Sequence, residues 1–248
     1  MKALRRPRRR RLAKAALWGV QMWTYQKVFE LPYRKPWRRR EHLRIHYPIR
    51  LDSAIGGGTP PSQRLQRALR RPPQVTALDR AITFVYWAWE VEPHASLAWI
   101  LLRHERDFPR AAALVGGVFW FTLVFHTLVP TAPPWWASEV AGEMDGEVHR
   151  VMLEVKRDLR HENRLREQHS LGANPWASMP SNHTAAAAMT AIVLSEIDPR
   201  IGAAAWGYAA ALGFALVYLG EHYVCDLIAG LASAASVRTI PRALRALR

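Results

Sequence analysis

The chain has 248 residues, half of them hydrophobic, and its 35 Lys and Arg against 20 Asp and Glu leave a formal charge of +15. That length suits one domain or one compact helical bundle, and a single cysteine, Cys225, excludes an internal disulfide. Charge is segregated: arginine crowds residues 1–76 whereas residues 201–220 (IGAAAWGYAAALGFALVYLG) carry none, so the basic flanks fit anionic lipid headgroups better than nucleic acid.

The N-terminus, MKALRRPRRRRLAKAALWGVQMW, has the basic start and apolar follow-on of a signal peptide. Gln21, Gln26 and Lys27 break its apolar part and no small-residue cleavage site follows, so it reads as a retained helix, either a weak first span or one lying in the interface. Residues 32–76, with PYRKPWRRR, IGGGTPPS and RRPPQ, read as a basic loop with little regular structure. Residues 81–102 are long enough to span, although Glu90, Glu92, Pro93 and His94 interrupt them. Ionisable side chains at that depth face a bundle interior or a watery cavity, where these could receive a polar acceptor or form a structural network.

Residues 111–129 carry one ionisable side chain, His126, and stop at PTAPPWWA, where Pro130, Pro133 and Pro134 forbid a continuous helix. Trp135 and Trp136 there suit either interface anchors or substrate contacts. Residues 139–168 read as a polar helix with one apolar face, Val148, Val151, Met152, Val155 and Leu159 recurring at spacings of three and four. Helices over 183–195, 201–220 and 222–240 complete an all-α expectation: an integral membrane helical bundle with five to six transmembrane helices. If the helices alternate in direction, His183, His222 and PTAPPWW meet on one face.

In YLGEHYVCDLIAG, His222 and Asp226 are four apart, one turn on a helix. A carboxylate there can fix the imidazole tautomer and stabilise the imidazolium that forms when the other nitrogen attacks. The same spacing suits a satisfied histidine at a helix end, and Glu221, His222, Cys225 and Asp226 also have metal-ligand chemistry without the spacing of a closed zinc site. In MPSNHT, Ser181, Asn182 and the first amides of the following helix form a start suited to an anion. His183 can give a proton to a leaving oxygen there, or simply face water beside a capping residue.

PSNH followed by GEHYVCD resembles the second and third signatures of the type 2 phosphatidic acid phosphatase superfamily: Pro-Ser-Gly-His, and Ser-Arg, five residues, His, three residues, Asp. With PTAPPWW and NPWASMPSNH the likeness extends to the inositol phosphorylceramide synthase branch, including inositolphosphotransferase-like members, over residues 71–237. The expected organisation is a basic N-terminal region over 1–76 with one amphipathic or weakly transmembrane helix, a membrane catalytic domain over 77–240 that the resemblance marks, and a basic tail over 241–248. The resemblance implies a metal-independent enzyme with no cofactor, in which His222 becomes phosphohistidine, Asp226 orients it and His183 protonates the leaving alkoxide. Ser181, Asn182 and Arg150 are the candidate phosphate ligands, and Asn174 and Trp135 the candidate substrate contacts. The superfamily arginine falls on Leu216 here, and Asn182 replaces the glycine. Arg64 to Pro72 (RLQRALRRP) nearly matches the first signature, but Arg150, after PTAPPWWA, is better placed to meet charge on the equatorial oxygens.

The expected partners are a membrane lipid substrate, a polyol acceptor such as inositol, and anionic headgroups at the basic flanks, with no nucleic acid. The expected function is transfer of a phosphoryl-linked headgroup, inositolphosphotransferase-like, with lipid phosphate hydrolysis or a non-catalytic transporter or scaffold as alternatives. The expected location is multi-pass in the cell membrane, the active face extracytoplasmic.

Overall fold

The structure, a computed structural model, describes residues 2–31, 43–160 and 176–246. Among them the order is α1 (Lys2–Glu30), α2 (His46–Ile55), α3 (Pro61–Leu69), α4 (Ala77–Ala88), α5 (Glu92–Arg103), α6 (Phe108–Leu128), α7 (Pro134–Glu139), α8 (Val151–Arg160), α9 (Asn182–Ile197), α10 (Pro199–Tyr218) and α11 (Val224–Ala246). No strand forms among the described residues; isolated bridges join Arg44 to Thr131 and Thr131 to Ala177.

The centre is α9, packed against α10, α11 and α6. Ala185 to Ala188 and Ala191 are all buried there, and side chains this short let neighbouring backbones approach closely. At the closest point a Cβ on Gly230 of α11 would lie 2.6 Å from the Ser181 carbonyl, so only glycine allows this crossing at the start of α9. On the far side α1 lies along α6, with the Tyr25 ring edge-on to Phe119 at 5.1 Å.

Two helices among the described residues are long and apolar enough to cross a membrane, α6 with 21 residues and α10 with 20. The span expected over 81–102 is instead two helices of 12 residues each, α4 and α5. Pro93 falls in the first turn of α5, where a missing amide is harmless, whereas in a continuous helix it would break a hydrogen bond.

The loop expected over 32–76 is also corrected where it is described. Gly57 and Gly58 take positive φ between α2 and α3, and Pro61 opens α3, so the Gly and Pro residues punctuate two helices. The polar helix expected over 139–168 begins only at Val151, because Gly142, Met144, Asp145 and Gly146 all adopt positive φ ahead of it. Val151 and Val155 are buried as its period requires, but Leu159 is exposed.

Candidate active site

The three unusual stretches meet at the start of α9. The Thr131 amide donates to the Trp176 carbonyl, the Ser178 amide to Thr131, the Trp135 amide to Gly220, and the Ser181 amide to Asp226. These backbone bonds hold residues 131–135, 176–181 and 220–226 together without any side chain.

His222 lies in the turn just before α11 and not on the helix itself. The amides of Glu221 and His222 both donate to the Leu216 carbonyl, wrapping the turn over the end of α10. Asp52 of α2, fully buried, accepts from the Val224 and Cys225 amides at 3.0 and 2.8 Å, anchoring the start of α11. Asp226, also fully buried, accepts through Oδ2 from the Tyr223 amide, from Ser178 Oγ and from His222 Nδ1, the last at 3.2 Å. A carboxylate so placed makes Nδ1 the protonated nitrogen of His222 and leaves a lone pair on Nε2. That Nε2 lies 3.0 Å from Nδ1 of His183, so His183 donates Nδ1–H to it. The His183 ring in turn rests on Trp89, with centroids 4.2 Å apart.

Arg150 enters from the segment before α8. Its Nε donates to Glu221 Oε1 at 2.8 Å and its Nη2 to Oε2 at 3.3 Å. The guanidinium lies 4.5 Å from the Trp135 ring centre. Burial opposes its charge, but the Glu221 carboxylate more than offsets this and holds the pKa above the usual arginine value. Its backbone is set by Gln66 of α3, which is 3% exposed. Gln66 Nε2 donates to the carbonyls of His149 and Tyr218 at 2.9 and 2.8 Å, and Oε1 accepts the His149 amide at 2.9 Å.

Arg150, Trp135, His183, His222, Ser178 and Asn182 share the wall of one cavity of about 230 Å³. Glu90 and His94 line it too, while Glu92 accepts from Ser96 Oγ within α5. Ser181 does not reach the cavity: its Oγ accepts the Thr184 amide and caps α9, leaving the Asn182 and His183 amides without intrahelical partners. The Asn182 side chain turns sideways, Oδ1 accepting from Thr122 Oγ1 at 3.0 Å and Nδ2 donating to the Tyr25 hydroxyl at 3.3 Å. Trp135, one of the two expected interface anchors, is buried, and its Nε1–H has no protein acceptor. Asn174 lies outside the described residues. Leu216, where the superfamily arginine would stand, is buried in an apolar cluster with Ala187 and Leu212. Arg64 and Arg71 of the near-match are exposed and bond backbone carbonyls.

Gln66 and Asp52 carry no motif that marks them in the sequence; Ser178 and Glu221 fall inside NPWASMPSNH and GEHYVCD, but the partners of all four are visible only once the chain is folded. Among the described residues, the carboxylates and histidine close enough to share a cation are Glu139, His149 and Glu154. They lie outside the cavity, Glu154 paired with Arg70.

Residues 49–239 match a family model described as the PAP2 superfamily. No curated protein matches the chain significantly. Among solved structures, the crystal structure of Aquifex aeolicus LpxE is similar, at 20% identity and a TM-score of 0.49, covering 72% of this chain and 90% of that one.

Proposed function

This chain belongs to the PAP2 superfamily through residues 49–239, and from that premise we propose that it is a membrane-embedded phosphatase of lipid phosphates working through a phosphohistidine at His222. The observation that carries the proposal is the line from Asp226 through His222 to His183, with contacts of 3.2 and 3.0 Å, ending in the cavity that Arg150 also walls.

In the free site the lone pair on His222 Nε2 is occupied by His183. A phosphoryl group enters between the two rings, and a substrate oxygen takes over the His183 N–H. The incoming phosphate charge favours His183 as imidazolium. Nε2 of His222 then attacks phosphorus in line, the ester P–O bond breaks, and the imidazolium gives its Nδ1 proton to the departing alkoxide, becoming neutral. Asp226 stabilises the positive charge left on the His222 ring. Water next attacks phosphorus, His183 takes its proton, and the N–P bond breaks to release phosphate. Glu221 occupies the Nε and Nη2 side of Arg150, leaving Nη1 for an equatorial oxygen. The Asn182 and His183 amides and Trp135 Nε1–H supply further donors where charge develops.

Support for a membrane setting comes from α6 and α10 and from exposed apolar side chains such as Phe84, Phe125, Leu128 and Phe214. An extracytoplasmic site is supported by α11, which begins at the site and leads toward the basic residues 241–248, the arrangement the positive-inside tendency favours. A second reading, phosphoryl-headgroup transfer to a polyol such as inositol, is favoured by Glu90 and His94 in the cavity wall.

The test is phosphate release by purified, detergent-solubilised protein from a panel of lipid phosphates and phosphoinositides, in EDTA, with and without inositol, beside His222→Ala. Hydrolysis that survives EDTA and disappears in the variant supports the phosphatase. Turnover that requires inositol favours the transferase, and turnover retained by His222→Ala overturns the mechanism.

A further inference from the structure

The mechanism leaves unused another histidine in the wall of the same cavity, His126. His126 of α6 is 2% exposed, and its Nε2 lies 2.8 Å from the Pro180 carbonyl. A carbonyl only accepts, so Nε2 carries the proton and Nδ1 is a bare acceptor. Nδ1 is buried and has no protein partner. A buried acceptor without a donor is expensive, and the ligand that answers it must bring a hydrogen, which a phosphate dianion cannot.

Tyr25 of α1 supplies the complementary half. It is 4% exposed and lines the cavity, and its oxygen accepts from Asn182 Nδ2, leaving its own proton to donate. Tyr25 and His126 both contact the ring of Phe29, with centroids 5.6 and 6.2 Å from it respectively. An acceptor and a donor that line one cavity and pack against the same ring match a hydroxyl group, which donates to one and accepts from the other. The cavity, at about 230 Å³, is about eight times the volume share of a water molecule. That is room for a phosphoryl group and a short polyol fragment, with longer chains left outside.

We propose that Tyr25 and His126 form a subsite for a free hydroxyl on the alcohol esterified to the phosphate, selecting hydroxylated lipid phosphates over their deoxy counterparts. The proposal rests on the phosphatase reading and adds a preference to it.

The experiment compares kcat/KM for a single-chain glycerol phosphate lipid bearing a free 2-hydroxyl with that for its 2-deoxy counterpart of equal chain length. Wild type, Tyr25→Phe and His126→Gln are measured, with His222→Ala as control. The glutamine keeps an N–H for the Pro180 carbonyl, and Tyr25→Phe leaves that carbonyl's partner untouched. Wild type is expected to prefer the hydroxylated ester about tenfold, the order of one well-formed neutral hydrogen bond, and each variant to bring the ratio near one. A wild-type ratio near one with His222-dependent turnover overturns the subsite alone, as does a loss in both variants that lowers the two esters equally and keeps the ratio. Turnover of neither ester, or turnover that survives His222→Ala, overturns the phosphatase reading and the subsite with it.

Discussion

Asp226→Asn separates the orienting role of the carboxylate from its structural one. The fully buried Oδ2 receives three donors, the His222 ring, Ser178 Oγ and the Tyr223 amide. Asparagine keeps the shape and one accepting oxygen but adds an NH2 group. With the amide oxygen at the Oδ2 position all three donors keep an acceptor but the negative charge that stabilises the imidazolium is gone; with the NH2 there, all three face a donor. In the second orientation the ring relieves the clash most easily by moving its proton from Nδ1 to Nε2, which removes the attacking lone pair. Holding the wrong tautomer in comparable catalytic arrangements lowers kcat about 10³- to 10⁴-fold, or about 4–5 kcal/mol in the barrier. Losing charge-assisted hydrogen bonds lowers stability by about 1.5–3 kcal/mol, so the variant should fold with a reduced unfolding midpoint. The assay is steady-state phosphate release beside thermal unfolding in the same detergent. A kcat within tenfold of wild type, with His222→Ala inactive, would refute the orienting role.

Gln66→Leu strips three buried backbone partners around His149 and Tyr218 and should cost about 2–4 kcal/mol of stability. Because Arg150 follows His149, the same variant should raise KM, measured on any accepted phosphate ester. Gly220→Ala should destabilise by about 1–3 kcal/mol in thermal unfolding, since Gly220 has φ +75° and a Cβ there would lie 2.8 Å from the His149 carbonyl. Asp52→Ala removes the acceptor at the start of α11 and should lower stability by about 1–2 kcal/mol. The hydrogen bond to Glu139 holds the His149 pKa above its usual value. Its contribution is therefore complete below the ordinary histidine pKa and lost as pH rises through the raised one. Glu139 also accepts the Arg150 amide, so KM should rise about twofold across that window, as expected for a half-exposed pair, and should stay flat in Glu139→Gln.

The sequence is most legible where apolar runs are long. The runs of α6 and α10 are plain in hydropathy, and their ends could be placed by Pro130 and by the turn before His222. Meeting of the three far-apart stretches follows from alternating helix direction, which needs no side-chain detail. What escaped is polar and buried. In α2 and α3 the buried positions are Asp52, Ser62, Gln63 and Gln66 together with Pro48, so their inward faces show no hydrophobic period and the segment reads as loop. The burial of Asp52, Gln63 and Gln66 is explained by backbone groups they satisfy in distant segments, a partnership no local pattern reveals. Glu221 stands in the sequence among residues with metal-ligand chemistry, and its pairing with Arg150 depends on bringing residues 71 apart in sequence into contact. Ser181 offers the opposite lesson. Its position at a helix start is legible, but capping uses the hydroxyl that the anion reading would spend on phosphate.

The most direct measurement is acid-labile phosphate on the protein itself. Purified enzyme is mixed with a labelled lipid phosphate, quenched in base within the first turnovers, digested, and the peptides are sequenced by mass spectrometry. The account predicts phosphate on His222, enriched in His183→Ala if slowed dephosphorylation outlasts slowed formation, and none in His222→Ala. Phosphate on another residue, or full turnover with no phosphoenzyme at any quench time and inversion of configuration at a chiral phosphate, would contradict it.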